Sequence, residues 1–163
     1  MKSIKRGALL LLILLGCAGP ALAAGPPGRW RIDPDIWESS YTAMVEEMLK
    51  TLPEDQRDET RMAMESQLEQ LKDPEAGGLA RIVTFEADGT VGVEGGDDQV
   101  IPEGSHWEET GKVIKISTDD PTDLPFAGTV QGDVIDMHPV LDADSMAESP
   151  WSRELHLVLR RVK

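Results

Sequence analysis

The spacing of the apolar residues changes at Leu79, and this change constrains the fold more than any other feature of the sequence. Before Leu79 the apolar residues recur every three or four positions, which is the period of an amphipathic helix. From Leu79 onward short runs alternate between apolar and polar residues, as in strands with one buried face. The sequence therefore predicts a helical segment over residues 34–72 followed by a β-meander over residues 79–162.

Two helices are expected in the helical segment. Asp33 is suited to cap the first, because its carboxylate can accept from free N–H groups of the first turn and Pro34 fits the first helical position. Pro53 separates this helix from a second one with a thinner apolar stripe. The first stripe consists of Trp37, Tyr41, Met44, Met48 and Leu52, with Val45 and Leu49 beside it, and the second of Met64, Leu68 and Leu71.

Turn sequences divide the meander into hairpins. Asp88-Gly89, Thr110-Gly111 and Gln131-Gly132-Asp133 each lie between two alternating runs, and such turns favour residues that accept positive φ. A closing strand is expected over residues 154–162, after a polar loop over residues 142–150. With an early strand before the helices, the sequence predicts a single α+β domain: two N-terminal helices packed on an antiparallel meander or partial barrel of about seven or eight strands.

The first 23 residues are typical of a bacterial signal peptide. Lys2, Lys5 and Arg6 precede an apolar run over residues 8–15. This run is too short to cross a hydrocarbon core of roughly 30 Å, which needs about 20 apolar residues. The segment therefore predicts export and is set aside from the fold.

Two processing sites compete within this segment, at Cys17 and at Ala23. Cleavage after Ala23 would leave residues 24–28 as a flexible leader before a domain over residues 29–163. Lipidation of Cys17, which follows Leu14-Leu15-Gly16, would instead anchor the chain to the membrane. The expected location is the periplasm or cell envelope, with lipid anchoring as the alternative. Cys17 is the only cysteine, so after cleavage at Ala23 no disulfide or cysteine nucleophile remains.

The charge of the chain excludes some classes of partner. Its 30 acidic residues outnumber 16 Lys and Arg, which gives a net charge of −14. A nucleic-acid binder needs a basic face that displaces counterions from phosphates, so no nucleic-acid partner is expected. Electrostatic docking on anionic lipid is disfavoured for the same reason. Membrane contact is expected only through lipidation of Cys17.

The segments that carry a family resemblance are Gly28–Asp33, Phe85–Val91, Ser105–Trp107 followed by Gly111, Gly128–Asp133 and Leu157–Arg161. Together they resemble the small bacterial lipocalin-like domains, many of them uncharacterised exported proteins or lipoproteins. The resemblance implies a fold and an exported location, and it implies no reaction. A strand that bears a tryptophan comes first, helices follow, and hairpins marked by turn glycines and core tryptophans complete the domain.

Residues that could carry chemistry do not form a recognised motif. His106, His138 and His156 fall on different predicted strands without ligand-like spacing, so isolated histidines are favoured over a shared metal site. Acidic pairs such as Asp97-Asp98 and Asp119-Asp120 are interpreted as turn residues rather than cation ligands. The methionines are interpreted as core rather than as copper ligands. No catalytic, metal-binding or cofactor-binding residues, and hence no cofactor, are assigned.

The functional hypothesis is an exported, non-enzymatic envelope protein that binds a small apolar ligand or a peptide between helices and sheet. The alternative is a structural or protein-interaction module of the envelope without a ligand, and an envelope hydrolase ranks third. A connected void above about 300 Å³ would favour the ligand hypothesis over the module. The residues expected to face the ligand or form the core are Trp30, Trp37, Tyr41, Met44, Met48 and Trp107.

Overall fold

The computed structural model of the protein describes residues 26–75, 77–94 and 100–163. The predicted signal peptide with Cys17, the first residues of the expected leader and the Asp97-Asp98 pair lie outside the described residues. None of the helices in the described part combines the length and the apolar character that a bilayer span requires.

The described chain confirms the predicted α+β architecture, with helices packed on an eight-stranded antiparallel sheet. The helices are α1 (Pro34–Thr51), α2 (Glu54–Lys72) and α3 (Ala143–Glu148), and short 3-10 segments span Gly78–Ala80 and Pro150–Glu154. The strands are β1 (Gly28–Ile32), β2 (Ile82–Phe85), β3 (Val91–Val93), β4 (His106–Thr110), β5 (Val113–Ser117), β6 (Phe126–Gln131), β7 (Val134–Pro139) and β8 (Leu157–Arg161).

The strands form a nearly closed barrel. Their order is β3-β2-β1-β8-β7-β6-β5-β4, so every strand except β4 neighbours the one before it in sequence, and β1 pairs with β8. The two edge strands approach each other where Trp107 N donates to Gly89 O at 2.7 Å and Val91 N donates to Ser105 O at 3.0 Å. These bonds and the Thr90–His106 bridge draw β3 towards β4 and curl the sheet.

The interior of the barrel is filled by side chains. Trp30 packs edge-on against Phe85 at 6.3 Å, and Phe85 packs against Trp107 at 6.1 Å, in the T-shaped geometry that aromatic pairs prefer. The side chains at the centre of the barrel are less than 2% exposed. Since a side chain that lined a water-sized cavity would be exposed to it, no such cavity lies beside them in the described part of the chain. These residues are Trp30, Ile32, Val83, Phe85, Ile114, Ile135, Met137, Leu157 and Leu159.

The first helix docks on the barrel as the stripe predicts. Asp33 caps α1, since its carboxylate accepts from Ile36 N at 3.3 Å, and it also accepts from Arg160 Nε at 2.6 Å. α1 contacts β8, α2 and the segment Pro150–Glu154. Its buried side chains belong to the same hydrophobic core as the barrel, and they are Trp37, Tyr41, Met44, Val45 and Leu49.

The prediction for residues 142–150 was wrong. This stretch, expected to be a polar loop, contains α3, because Asp142 caps the helix by accepting from Ser145 N at 2.8 Å. The helix is six residues long, too short for an amphipathic period to show in the sequence. The closing strand also begins later than residue 154, at Leu157, because Pro150 starts a 3-10 segment that runs to Glu154.

Candidate functional site

Most residues predicted to face a ligand or form the core are buried, and the polar atoms of Trp30 and Tyr41 are hydrogen-bonded within the fold. Trp30 Nε1 donates to Pro26 O at 2.7 Å, and Tyr41 OH donates to Gln67 Oε1 at 3.0 Å. Trp37 and Met44 are buried, and Trp37 Nε1 has no hydrogen-bond partner among the described residues. These side chains serve the core.

Trp107 and Met48 are only half-buried. Trp107 packs against the hydrophobic core, and its Nε1 donates to Glu86 O at 2.8 Å. Met48 is on the same helix as Met44 but lies outside the core cluster. The stripe of α1 is therefore buried at Trp37, Tyr41 and Met44 and shallower one turn later at Met48.

The space between helices and sheet is an open groove of about 510 Å³, which we call the helix–barrel groove. It lies where β1 ends and α1 begins, and the end of α2 and the segment Gly78–Ala80 complete it. Charged side chains of both signs stand beside apolar ones. The lining residues are Arg31, Pro34, Asp35, Glu38, Lys72, Pro74, Leu79 and Ala80.

Of the two basic residues that line the groove, Lys72 forms ion pairs and Arg31 forms none with the residues that the structure describes. Lys72 Nζ donates to Glu38 Oε1 at 3.0 Å and to Glu69 Oε1 at 3.3 Å, and these bonds, that to Glu38 above all, raise the pKa of Lys72. Arg31 is exposed, and its guanidinium makes no hydrogen bond or ion pair with any residue in the described ranges. Arg31 is thus available to an acidic or carbonyl group of a ligand.

The acidic loop around Asp120 lines a second hollow, of about 330 Å³, between the end of β5 and the start of α3. The carboxylates of Asp120 and Asp123 accept hydrogen bonds from residues of the same loop. Asp120 accepts from Thr122 N at 2.8 Å and from Thr122 Oγ1 at 2.7 Å, and these bonds lower the pKa of Asp120. Asp123 accepts from Thr118 Oγ1 at 2.8 Å. This arrangement matches the interpretation as turn residues.

Two of the three histidines are in contact, although the sequence favours isolated histidines. His138 and His156 stack with their ring centroids 4.4 Å apart, and His156 Nε2 lies 2.7 Å from Asp136 Oδ1. The third, His106, lies on β4, where its Nε2 is 3.3 Å from Ser117 Oγ. The sequence alone could predict that Asp136 and His138 share one face of a strand, because they are two residues apart. It could not predict the approach of His156, which depends on the pairing of β7 with β8.

A serine-hydrolase triad is not assembled within the described residues. The pair of a serine and a histidine, Ser117 and His106, spans β4 and β5, whereas the pair of a histidine and a carboxylate, His156 and Asp136, lies at β7 and β8. β4 and β8 are separated by three strands in the sheet. The nucleophile, base and orienting acid that such catalysis needs do not meet at one point.

Comparison of the chain with protein families, curated proteins and solved structures finds no significant match. The helices and the nearly closed antiparallel barrel are compatible with a lipocalin-like fold. The site must accordingly be interpreted from its own chemistry.

Proposed function

We propose that the protein is an exported, non-enzymatic binding protein of the bacterial cell envelope, and that it holds a short peptide segment in the helix–barrel groove. The observation that carries this proposal is the groove itself, whose 510 Å³ falls within the range of ligand sites. The filled barrel interior supports the same choice, because it leaves the junction of helices and sheet as the larger of the two hollows described above.

The lining of the groove favours a peptide over a small apolar molecule. Leu79, Pro34 and Pro74 offer apolar contact, while Arg31 and Asp35 offer opposite charges. A peptide carries carbonyl and amide groups along its backbone together with apolar and charged side chains, so it can satisfy both kinds of surface. A wholly apolar ligand would leave charged groups desolvated and unpaired.

Selection of peptides from a displayed library of short random sequences tests this proposal. A selected peptide should bind saturably in isothermal titration calorimetry, and Arg31→Glu should weaken its binding at least tenfold because the free guanidinium is reversed in charge. Arg29→Glu is the matched control, since Arg29 lies on the same strand outside the groove, where it pairs with Glu94. Selection of no saturable binder, or equal losses in both variants, would overturn the proposal.

A second candidate function, a structural or protein-interaction module of the envelope without a ligand, is favoured by the filled barrel. Native mass spectrometry of protein recovered from exporting cells separates the two. A co-purified ligand of peptide mass supports the groove proposal. A partner that is crosslinked in the native envelope equally well by wild type and Arg31→Glu supports the module.

Export itself is tested by intact mass. The secreted chain is expected to start at Ala24, or at Cys17 with attached lipid, and Cys17→Ala should abolish only the second product. A stable form that retains Met1 would contradict the export proposal.

A further inference from the structure

Two imidazoles and one carboxylate gather on the outer face of the barrel. Asp136 and His138 lie two residues apart on β7, so both project from the same face of the sheet. The register that pairs Met137 with Leu157 places His156, the residue before β8, opposite His138. We call Asp136, His138 and His156 the His–His–Asp cluster.

The ligand atoms of this cluster are already close to one another. His156 Nε2 lies 2.7 Å and His138 Nε2 lies 3.6 Å from the same atom, Asp136 Oδ1. One nitrogen or oxygen from each residue falls within 4.8 Å of the other two. The two rings are nearly parallel, at 13°, and both carry their Nε2 atoms on the side of the shared carboxylate.

We propose that the His–His–Asp cluster binds a divalent transition-metal ion such as Zn²⁺ through the two Nε2 atoms and the Asp136 carboxylate. Imidazole nitrogen and carboxylate oxygen bind Zn²⁺ at about 2.0–2.2 Å, so two ligands of a tetrahedral site stand roughly 3.4 Å apart. The observed separations of 2.7 and 3.6 Å lie on either side of that value. To admit the ion, the two stacked imidazoles rotate until their Nε2 atoms converge on it.

The surroundings suit such an ion and leave it reachable. The side chains of His138, Asp136 and His156 are 61%, 47% and 30% exposed, so a hydrated ion can enter and keep a water as its fourth ligand. β7 is hydrogen-bonded to both β6 and β8, which fixes the backbone that carries two of the ligands. The net charge of −14 attracts cations to the surface as a whole. Hard cations such as Ca²⁺ prefer oxygen ligands only and are less suited.

Zn²⁺ titration of the exported protein, prepared without a polyhistidine tag, tests the proposal. Calorimetry should show one ion per chain, and His138→Gln or His156→Gln should each weaken binding at least about tenfold, the effect that loss of an outer-shell group alone can have. His106→Gln is the matched control, because His106 is exposed on β4 away from the cluster, and its binding should equal that of wild type. Far-UV circular dichroism of each variant checks that it is folded.

A second measurement needs no substitution. In ¹H–¹³C spectra of the wild-type protein, the imidazole resonances of His138 and His156 should shift on addition of Zn²⁺, while those of His106 should not. Absence of saturable binding up to about 1 mM Zn²⁺ would overturn the proposal. So would unchanged affinity in folded His138→Gln and His156→Gln, or imidazole shifts confined to His106.

Discussion

The guanidinium of Arg161 lies over the indole ring of Trp30, with Cζ 4.2 Å from the ring centroid. The two residues are directly paired across β1 and β8, so the strand register brings them together. Arg161 Nη1 also donates to Pro27 O at 3.1 Å, and Arg161 Nε lies 3.4 Å from Asp133 Oδ1. This arginine thus covers the buried tryptophan where the barrel core meets solvent.

Arg161→Ala should therefore lower the free energy of unfolding by about 1–2 kcal/mol, through loss of the cation–π contact and of the stem that covers Trp30. Urea denaturation followed by tryptophan fluorescence measures this change. Arg153→Ala is the control, since Arg153 is exposed and its ion pair is with the adjacent Glu154, and its effect should stay within about 0.5 kcal/mol. Equal losses in the two variants would contradict the role given to Arg161.

Met44→Ala should destabilise the protein by about 2–5 kcal/mol, because Met44 is 7% exposed and belongs to the core cluster. Met48→Ala should cost less, since Met48 is half-buried outside that cluster. Glu46→Ala, which removes an exposed contact to Arg61 at 3.6 Å, should change stability by less than about 1 kcal/mol. Thermal or urea denaturation ranks the three, and a silent Met44→Ala would indicate that α1 does not share the core of the barrel.

Asp33 is expected to make stability depend on acid pH. Although burial raises the pKa of Asp33, hydrogen bonds from Arg160 and from Ile36 N hold that pKa below its usual value. Its ionised form thus stabilises the fold above the unfolded pKa of about 3.9, and this contribution is lost as the pH falls through the lower folded pKa.

Asp33→Asn keeps a side chain that can cap α1 but removes the charge that accepts from Arg160 Nε, so it should cost about 1 kcal/mol at pH 7. The difference from wild type should disappear at pH values below the folded pKa. Urea denaturation at a series of pH values measures this. Glu59→Gln, at an exposed position on α2, should leave the curve of stability against pH parallel to that of wild type. A pH-independent difference for Asp33→Asn would show that its charge does not contribute.

Gly128 permits a close approach between β6 and β7. A Cβ at this position would collide with Asp136 O and lie 2.6 Å from Met137 Cα. Gly128→Ala should therefore destabilise the protein by about 1–3 kcal/mol. Gly92→Ala on β3 is the matched control, because its Cβ would meet nothing closer than 3.9 Å, and differential scanning calorimetry should show little change.

Local features of the fold could be predicted from the sequence because they depend on neighbouring residues. Asp33 with Pro34 set the start of α1, and the turn glycines Gly89, Gly111 and Gly132 all have positive φ. The approach of β3 to β4 and the register of β7 against β8 could not be predicted in this way. Both depend on packing between segments that are distant in the sequence. Along the chain, α3 and the following 3-10 segment stand between β7 and β8, although the two strands are paired in the sheet.

The same distinction applies to the candidate sites. The helix–barrel groove joins Arg31 on β1 to Lys72 at the end of α2, and no spacing in the sequence indicates that they share a surface. The stripe on α1 was predictable, but its use in the core rather than for a ligand follows from the filled interior of the barrel.

The pairing of β1 with β8 has a consequence for the order of events in folding. The seam between them joins segments almost the whole domain apart, so it closes only after residues 157–161 are available to residues 28–32. Such non-local contacts raise the contact order and slow folding. The chain must lose the conformational entropy of closing a long loop before the contacts of the seam can stabilise it. A chain of this topology therefore remains open along that seam until residues 157–161 of its last strand have been synthesised.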